Sequence, residues 1–230
     1  MRHSPPLPPW LADMPRLDEF PNLVAPADTD WKSGKPLKGA DIRRSEALGM
    51  RRCCEVCGYP IPGRVYTVVA EGGSTDSHFL YPGGLYAQLV GPVHRSCAFY
   101  AVIACPYLKY RTARRKLSDH AARGAAMIVG FNNYGRFQPP GHTDVCFGYF
   151  GIAEEIPFNT YNDIAANYDD AVAADANLRF TTAPRLYWTD SPADQQRLDA
   201  TLAADTAETT ARLHEAVTTV GGHPYRLHLI

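Results

Sequence analysis

The sequence predicts an α+β protein in which surface helices pack on a small, mostly antiparallel sheet. Three observations point there. Short runs of β-branched and aromatic residues, such as Val65-Tyr66-Thr67-Val68-Val69, are bounded by glycine and proline. Ser191-Pro192-Ala193-Asp194 places a capping serine before a proline at the first helical position, a strong helix start. Proline (19) and glycine (18) are frequent in a chain of 230 residues, so many short elements with irregular connections are expected.

Residues 1–40 form a proline-rich arm. Proline removes donors and blocks helices, while Trp10, Leu11, Phe20, Leu23 and Trp31 offer apolar anchors for packing onto a domain. A short helix is expected over 41–50, with Asp41 near its start. A tight turn follows at 54–59, then a strand over 64–70, a loop over 71–84 and a second strand over 85–90. These two strands are expected to pair as a hairpin. Residues 94–104 carry an almost unbroken apolar run, which suits a helix buried on most faces, and Pro106 should stop or kink it. A basic helix is expected over 109–122, and strands over 125–134 and 144–152. Residues 159–177 are helical in composition, and 178–188 suit a hairpin or a loop. The helix that starts at Ser191 is expected to run to about 219 and end at Gly221-Gly222. In domain terms this divides the chain into the arm (1–40), a central module (41–125) and an α+β region with an acidic terminal helix (126–230). The last two are expected to form one unit.

The composition is that of an ordinary globular chain, with 45% hydrophobic and 20% charged residues. No run of eighteen apolar residues occurs, so no membrane span is expected. Prolines near the N-terminus argue against a secretory signal, and a cytoplasmic setting with reduced thiols is the expectation for the six cysteines. The net charge is −1, unevenly spread. Residues 41–123 hold twelve Lys/Arg and six Asp/Glu, a net of +6. Residues 151–230 hold five Lys/Arg and twelve Asp/Glu, a net of −7. Either the basic stretch faces an anionic partner, or the two parts of the chain attract each other within one fold.

Cys54-Glu55-Val56-Cys57-Gly58 has the spacing by which two thiolates on a tight turn share one metal. His94-Arg95-Ser96-Cys97 sets an imidazole and a thiolate three residues apart at a helix start, on one side of it. Cys54, Cys57, His94 and Cys97 complete a tetrahedral shell suited to structural Zn²⁺. The order of knuckle, hairpin and ligand-bearing helix is that of a treble-clef finger. Cys53 would give a C-x3-C spacing and lose the turn. Cys105 and Cys146 lie among apolar residues and read as core thiols.

Leu7-Pro8-Pro9-Trp10-Leu11, Cys54-Glu55-Val56-Cys57-Gly58, Pro92-Val93-His94-Arg95-Ser96-Cys97-Ala98 and Cys105-Pro106-Tyr107-Leu108 together resemble a family of small uncharacterised proteins of bacteria, phages and prophages. The shared pattern is C-x2-C-G, H-x2-C-A and C-P-aromatic-L, over about residues 7–116. The resemblance implies a bound zinc and a phage or bacterial setting, and no activity. Gly91-Pro92 departs from the Glu-Pro-Pro run of relatives.

Three functions compete. Nucleic-acid binding would use a basic face made of Arg51, Arg52, Arg95, Lys109, Arg111, Arg114, Arg115 and Lys116, with Tyr107 and Tyr110 for stacking. A protein-interaction or assembly role would use the arm and the terminal helix, toward a host or phage protein. A nuclease-like enzyme would need a second centre from Asp76, His78, His120 or His142. These residues show no convergence in the sequence, and no phosphate-cradling loop occurs.

Overall fold

The computed structural model describes residues 6–70, 79–105, 126–142, 146–158 and 164–230. After a single 3-10 turn at Pro9–Leu11, the arm forms a two-stranded ribbon, β1 (Thr29–Lys32) and β2 (Lys35–Ala40). The ribbon was not expected from the sequence. Its turn is Ser33-Gly34, where both residues take positive φ (53° and 76°), the pattern that matches the twist of a tight hairpin. Helix α1 (Ile42–Met50) follows, capped by the Asp41 carboxylate, which accepts from the Arg43 N–H at 2.9 Å.

Next come β3 (Val65–Ala70), β4 (Phe79–Tyr81), β5 (Leu85–Gln88), α2 (Arg95–Ala104), β6 (Ala126–Phe137) and β7 (Cys146–Phe158). Then follow α3 (Tyr168–Ala176), α4 (Pro192–Glu215), β8 (Val217–Val220) and β9 (His223–Leu229). The fold is α+β, with a mostly antiparallel sheet, and no described helix is long and apolar enough to cross a membrane. The expected helix over 109–122 lies outside the described residues.

The paired strands β6 and β7 form the spine of the sheet. β7 carries β5 and then β4 on its outer side, while β6 carries β3 along its first half and β9 along its second. The expected hairpin between β3 and β5 is therefore not formed, because each strand finds a longer partner in the spine. The sheet curls until the two come close again: Tyr66 bridges Val93, and the Thr67 hydroxyl donates to Gln88 Oε1 at 2.6 Å. The C-terminal helix also ends earlier than expected, at Glu215, and the chain turns back as the β8–β9 hairpin. Gly221-Gly222 is the tip of that hairpin, with φ of 54° and 84°, rather than a helix stop.

The main core draws on every region described: Trp10, Leu11 and Val24 from the arm, Phe99 and Val102 from α2, Ile128 and Phe131 from β6, and Trp188 and Leu198 beyond α3. Each large apolar side chain buried there contributes about 2 kcal/mol of transfer free energy. A smaller core of Leu85, Phe137, Cys146, Tyr225 and Leu227 fills the fold of the sheet between β5 and β9.

Candidate metal centre

Cys54 and Cys57 lie on a knuckle closed by its own backbone. The Gly58 N–H donates to the Cys54 carbonyl at 2.7 Å, and the Cys54 N–H donates to the Tyr59 carbonyl at 2.8 Å. Gly58 takes φ 75°, and a side chain there would run into the Leu186 backbone, whose N–H donates to the Gly58 carbonyl at 2.8 Å. Only glycine satisfies both demands. On the outer side, Ala27 and Asp28 of the arm donate backbone N–H groups to the Val56 and Glu55 carbonyls. The knuckle is thus held between the arm and the segment before α4.

His94 is the N-cap of α2, and Cys97 lies in its first turn. The first N–H groups of a helix lack intrahelical partners and favour negative charge nearby. One of them, from Ser96, donates to the buried Asp175 carboxylate on α3 at 2.8 Å. The His94 N–H faces Cys54 Sγ at 3.4 Å.

The ligand atoms of Cys54, Cys57, His94 and Cys97 all lie within 4.8 Å of one another, and all four residues are buried. His94 Nδ1 lies 3.3 Å from Cys57 Sγ. The edge of a tetrahedral Zn–S/N shell is about 3.5–3.8 Å, so the set fits a metal ion of that geometry. On the other side of the ring, His94 Nε2 lies 3.0 Å from the Pro60 carbonyl. That contact fixes the tautomer with the proton on Nε2 and leaves Nδ1 for the metal. The ring also stacks on Phe180, centroids 4.0 Å apart.

The thiols share their charge unequally. Burial raises the Cys54 thiol, but hydrogen bonds from Cys57 and Cys97 and the nearby His94 outweigh it and hold Cys54 well below the usual thiol range. Burial, followed by the Cys54 thiolate, pushes Cys57 and Cys97 well above that range. His94 resists the lowering effect of burial through the Cys54 thiolate, and its pKa is raised. A cation bound by this cluster would have to displace protons from Cys57 and Cys97. Cys53 stands outside it: its Sγ donates to the Arg51 carbonyl, and burial pushes its thiol up to about 12. Cys146 belongs to the smaller core, and Cys105 follows α2 without joining the cluster.

Three of the expected basic-face residues are described, and each is engaged within the fold. Arg51 pairs with Asp205 on α4. Arg52, at φ 52°, donates to the carbonyls of Ile61, Gly63 and Ile230. Arg95 pairs with Glu154 at 2.8 Å, and Tyr66 donates its hydroxyl to the same carboxylate. Lys109, Arg111, Arg114, Arg115 and Lys116 lie outside the described residues, as do Tyr107, Tyr110, Asp76, His78 and His120. His142 is exposed in the turn after β6.

Sequence reasoning missed Pro60, Asp175 and Phe180, the residues that orient His94 and the start of α2. Asp175 and Phe180 lie about eighty positions from the helix that they serve, so no local pattern marks them. Compared with family models, with curated proteins and with solved structures, the chain gives no match. What stands of the family pattern is the Cys54, Cys57, His94, Cys97 cluster, which could bind a metal ion.

Proposed function

We propose that this centre holds one zinc ion as a structural staple, in a protein that acts by binding a macromolecular partner rather than by catalysis. The observation that carries the reading is the closed, buried donor set: three cysteines and one histidine supply four ligands, and none leaves a position for substrate. Thiolate and imidazole donors favour zinc over hard cations. The reduced thiols suit a cytoplasmic setting in a bacterium or a phage-infected cell.

The centre also explains why the knuckle joins so many segments. It ties α2, the arm and the approach to α4 at one point, where a zinc ion would contribute on the order of 10 kcal/mol to folding. Metal analysis tests this directly. One zinc per chain is expected, lost together with native structure in Cys57→Ser. A chain without zinc, or a Cys57→Ser variant that folds fully, would overturn the reading.

Nucleic acid is the partner class that this proposal carries least far. The basic region around α1 is matched within the fold by acidic α4, through Arg43–Asp199 and Arg51–Asp205. The reading then rests on Lys109, Arg111, Arg114, Arg115 and Lys116. A host or phage protein is the favoured partner. Binding to DNA or RNA that weakens steeply with salt, and that is lost when those five cations are neutralised, would reverse this order.

A further inference from the structure

A cleft of about 390 Å³ opens beside the metal centre, between the arm and α3. That volume suits a small molecule. Trp10, Tyr59 and Phe180 line it. Phe180 meets Trp10 edge-to-face at 5.0 Å and Tyr59 at 5.9 Å, so the three rings form one rigid wall. Phe180 is in turn held by the His94 ring behind it.

The charged groups around the cleft are not equivalent. Asp13 is paired with Arg185 at 3.0 Å, and that guanidinium also donates to the Trp10 carbonyl and lies 4.6 Å from the Tyr59 ring centroid. Asp175 accepts the Ser96 N–H. Asp13 is therefore neutralised by its partner, Asp175 is buried with one oxygen taken by the Ser96 N–H, and the Tyr59 ring already has its cation. Arg179 differs. It lines the cleft, it is exposed, and among the described residues no carboxylate lies within ion-pair distance of its guanidinium. Its backbone takes the left-handed conformation, φ 51° and ψ 29°, which a non-glycine residue adopts at a cost. A second polar group is also unmatched: Trp10 is 6% exposed, and its indole N–H has no acceptor. An unpaired buried donor of this kind is costly.

We propose that this cleft binds a small aromatic carboxylate, its ring against Trp10, Tyr59 and Phe180 and its carboxylate on Arg179. The aromatic wall supplies apolar area and offset stacking for a flat body. The guanidinium supplies two parallel donors matched to a carboxylate. A cationic ligand fits less well, because Asp13 is already paired with Arg185 and Asp175 is buried.

Calorimetric titration of the full chain with benzoate, benzyl alcohol and benzylamine tests the assignment. Benzoate is expected to bind, benzyl alcohol more weakly and benzylamine not at all. Arg179→Gln, an exposed change that leaves the core intact, is expected to weaken benzoate about tenfold and to leave benzyl alcohol unchanged, as loss of one charge-assisted contact requires. Failure of benzoate to bind, equal binding to Arg179→Gln, or tighter binding of benzylamine would each overturn the proposal. The zinc reading is tested separately: metal-free protein that still bound benzoate would remove the zinc and leave the cleft.

Discussion

The imidazole of His94 lies face to face with the ring of Phe180, their centroids 4.0 Å apart and their planes at 26°. With Nε2 directed at the Pro60 carbonyl, the histidine has little freedom left, and Nδ1 faces the thiols. A preset ligand loses less entropy when metal binds, and partners outside the ligand shell commonly change metal affinity ten- to a hundredfold. Phe180→Ala should therefore weaken zinc by about that factor, measured by competition with a chromophoric chelator. It should also cost about 3 kcal/mol of stability from lost packing. Phe180→Leu should recover much of the stability and little of the affinity. Equal zinc affinity in all three proteins would show that the stack has no part in ligand orientation.

Metal uptake should depend steeply on pH. Cys57 and Cys97 are raised by burial beside the Cys54 thiolate, and His94 is raised by that thiolate. Cys57 and Cys97 hold the protons that a metal ion must displace. Binding is then strongest at high pH and falls as pH drops, by about a hundredfold per unit where two protons are released. Chelator competition at several pH values measures the slope, and buffers of different ionisation enthalpy give the proton count by calorimetry. A slope near zero would mean that the thiols are already ionised before metal arrives.

The parts of this fold that could be read from the sequence are those fixed by local chemistry. The Asp41 and Ser191 caps announced α1 and α4, and the C-x2-C and H-x2-C spacings announced the cluster that could hold a metal ion. Pairing partners were another matter. β3 and β5 looked like a hairpin because they are close in sequence, yet β6 offers β3 six consecutive partners from Phe131 back to Ala126. Gly221-Gly222 was ambiguous for a different reason: positive φ serves a helix end and a hairpin tip equally well. Which one forms depends on whether the next residues can pair, and Val217–Val220 do pair with His223–Arg226. Phe180 and Asp175 were invisible because their role exists only once α3 has docked on α2.

Two buried carboxylates should shape the pH dependence of stability. The Asp28 N–H donates to the Glu55 carbonyl at 3.2 Å, and both side chains are buried. Glu55 is matched by the Ser45 hydroxyl and the Gly91 N–H, and burial raises it well above the usual range. Burial likewise pushes Asp28 up to about 7. An acid whose folded pKa exceeds its unfolded one binds more protons when folded, so it destabilises as pH rises from about 4 to about 7. Asp28→Asn removes that loss. Thermal melts should show the variant gaining over wild type above pH 7 and converging with it near pH 4. Parallel profiles would exclude Asp28 as the titrating group.

Beside the smaller core the curled sheet brings two turns together backbone against backbone, and this too can be tested. The turn between β4 and β5 meets the tip of the β8–β9 hairpin. A methyl group on Gly83 would run into the Val220 carbonyl, and one on Gly221 would run into the Gly83 backbone. The Tyr225 hydroxyl donates across the same junction to the Pro82 carbonyl at 2.5 Å, over the smaller core. Gly83 and Gly221 also take positive φ, 77° and 54°. Gly222 shares that strain at φ 84° but has open space where a side chain would go. Gly83→Ala and Gly221→Ala should therefore each cost roughly 3 kcal/mol, strain plus overlap. Gly222→Ala should cost about 1–2 kcal/mol, strain alone. Zinc affinity should be the same in all three, because the junction touches the smaller core and not the knuckle. Denaturant melts with metal titration on each variant measure both quantities. If Gly83→Ala cost no more than Gly222→Ala, the junction would be loose in solution and the smaller core would not depend on it.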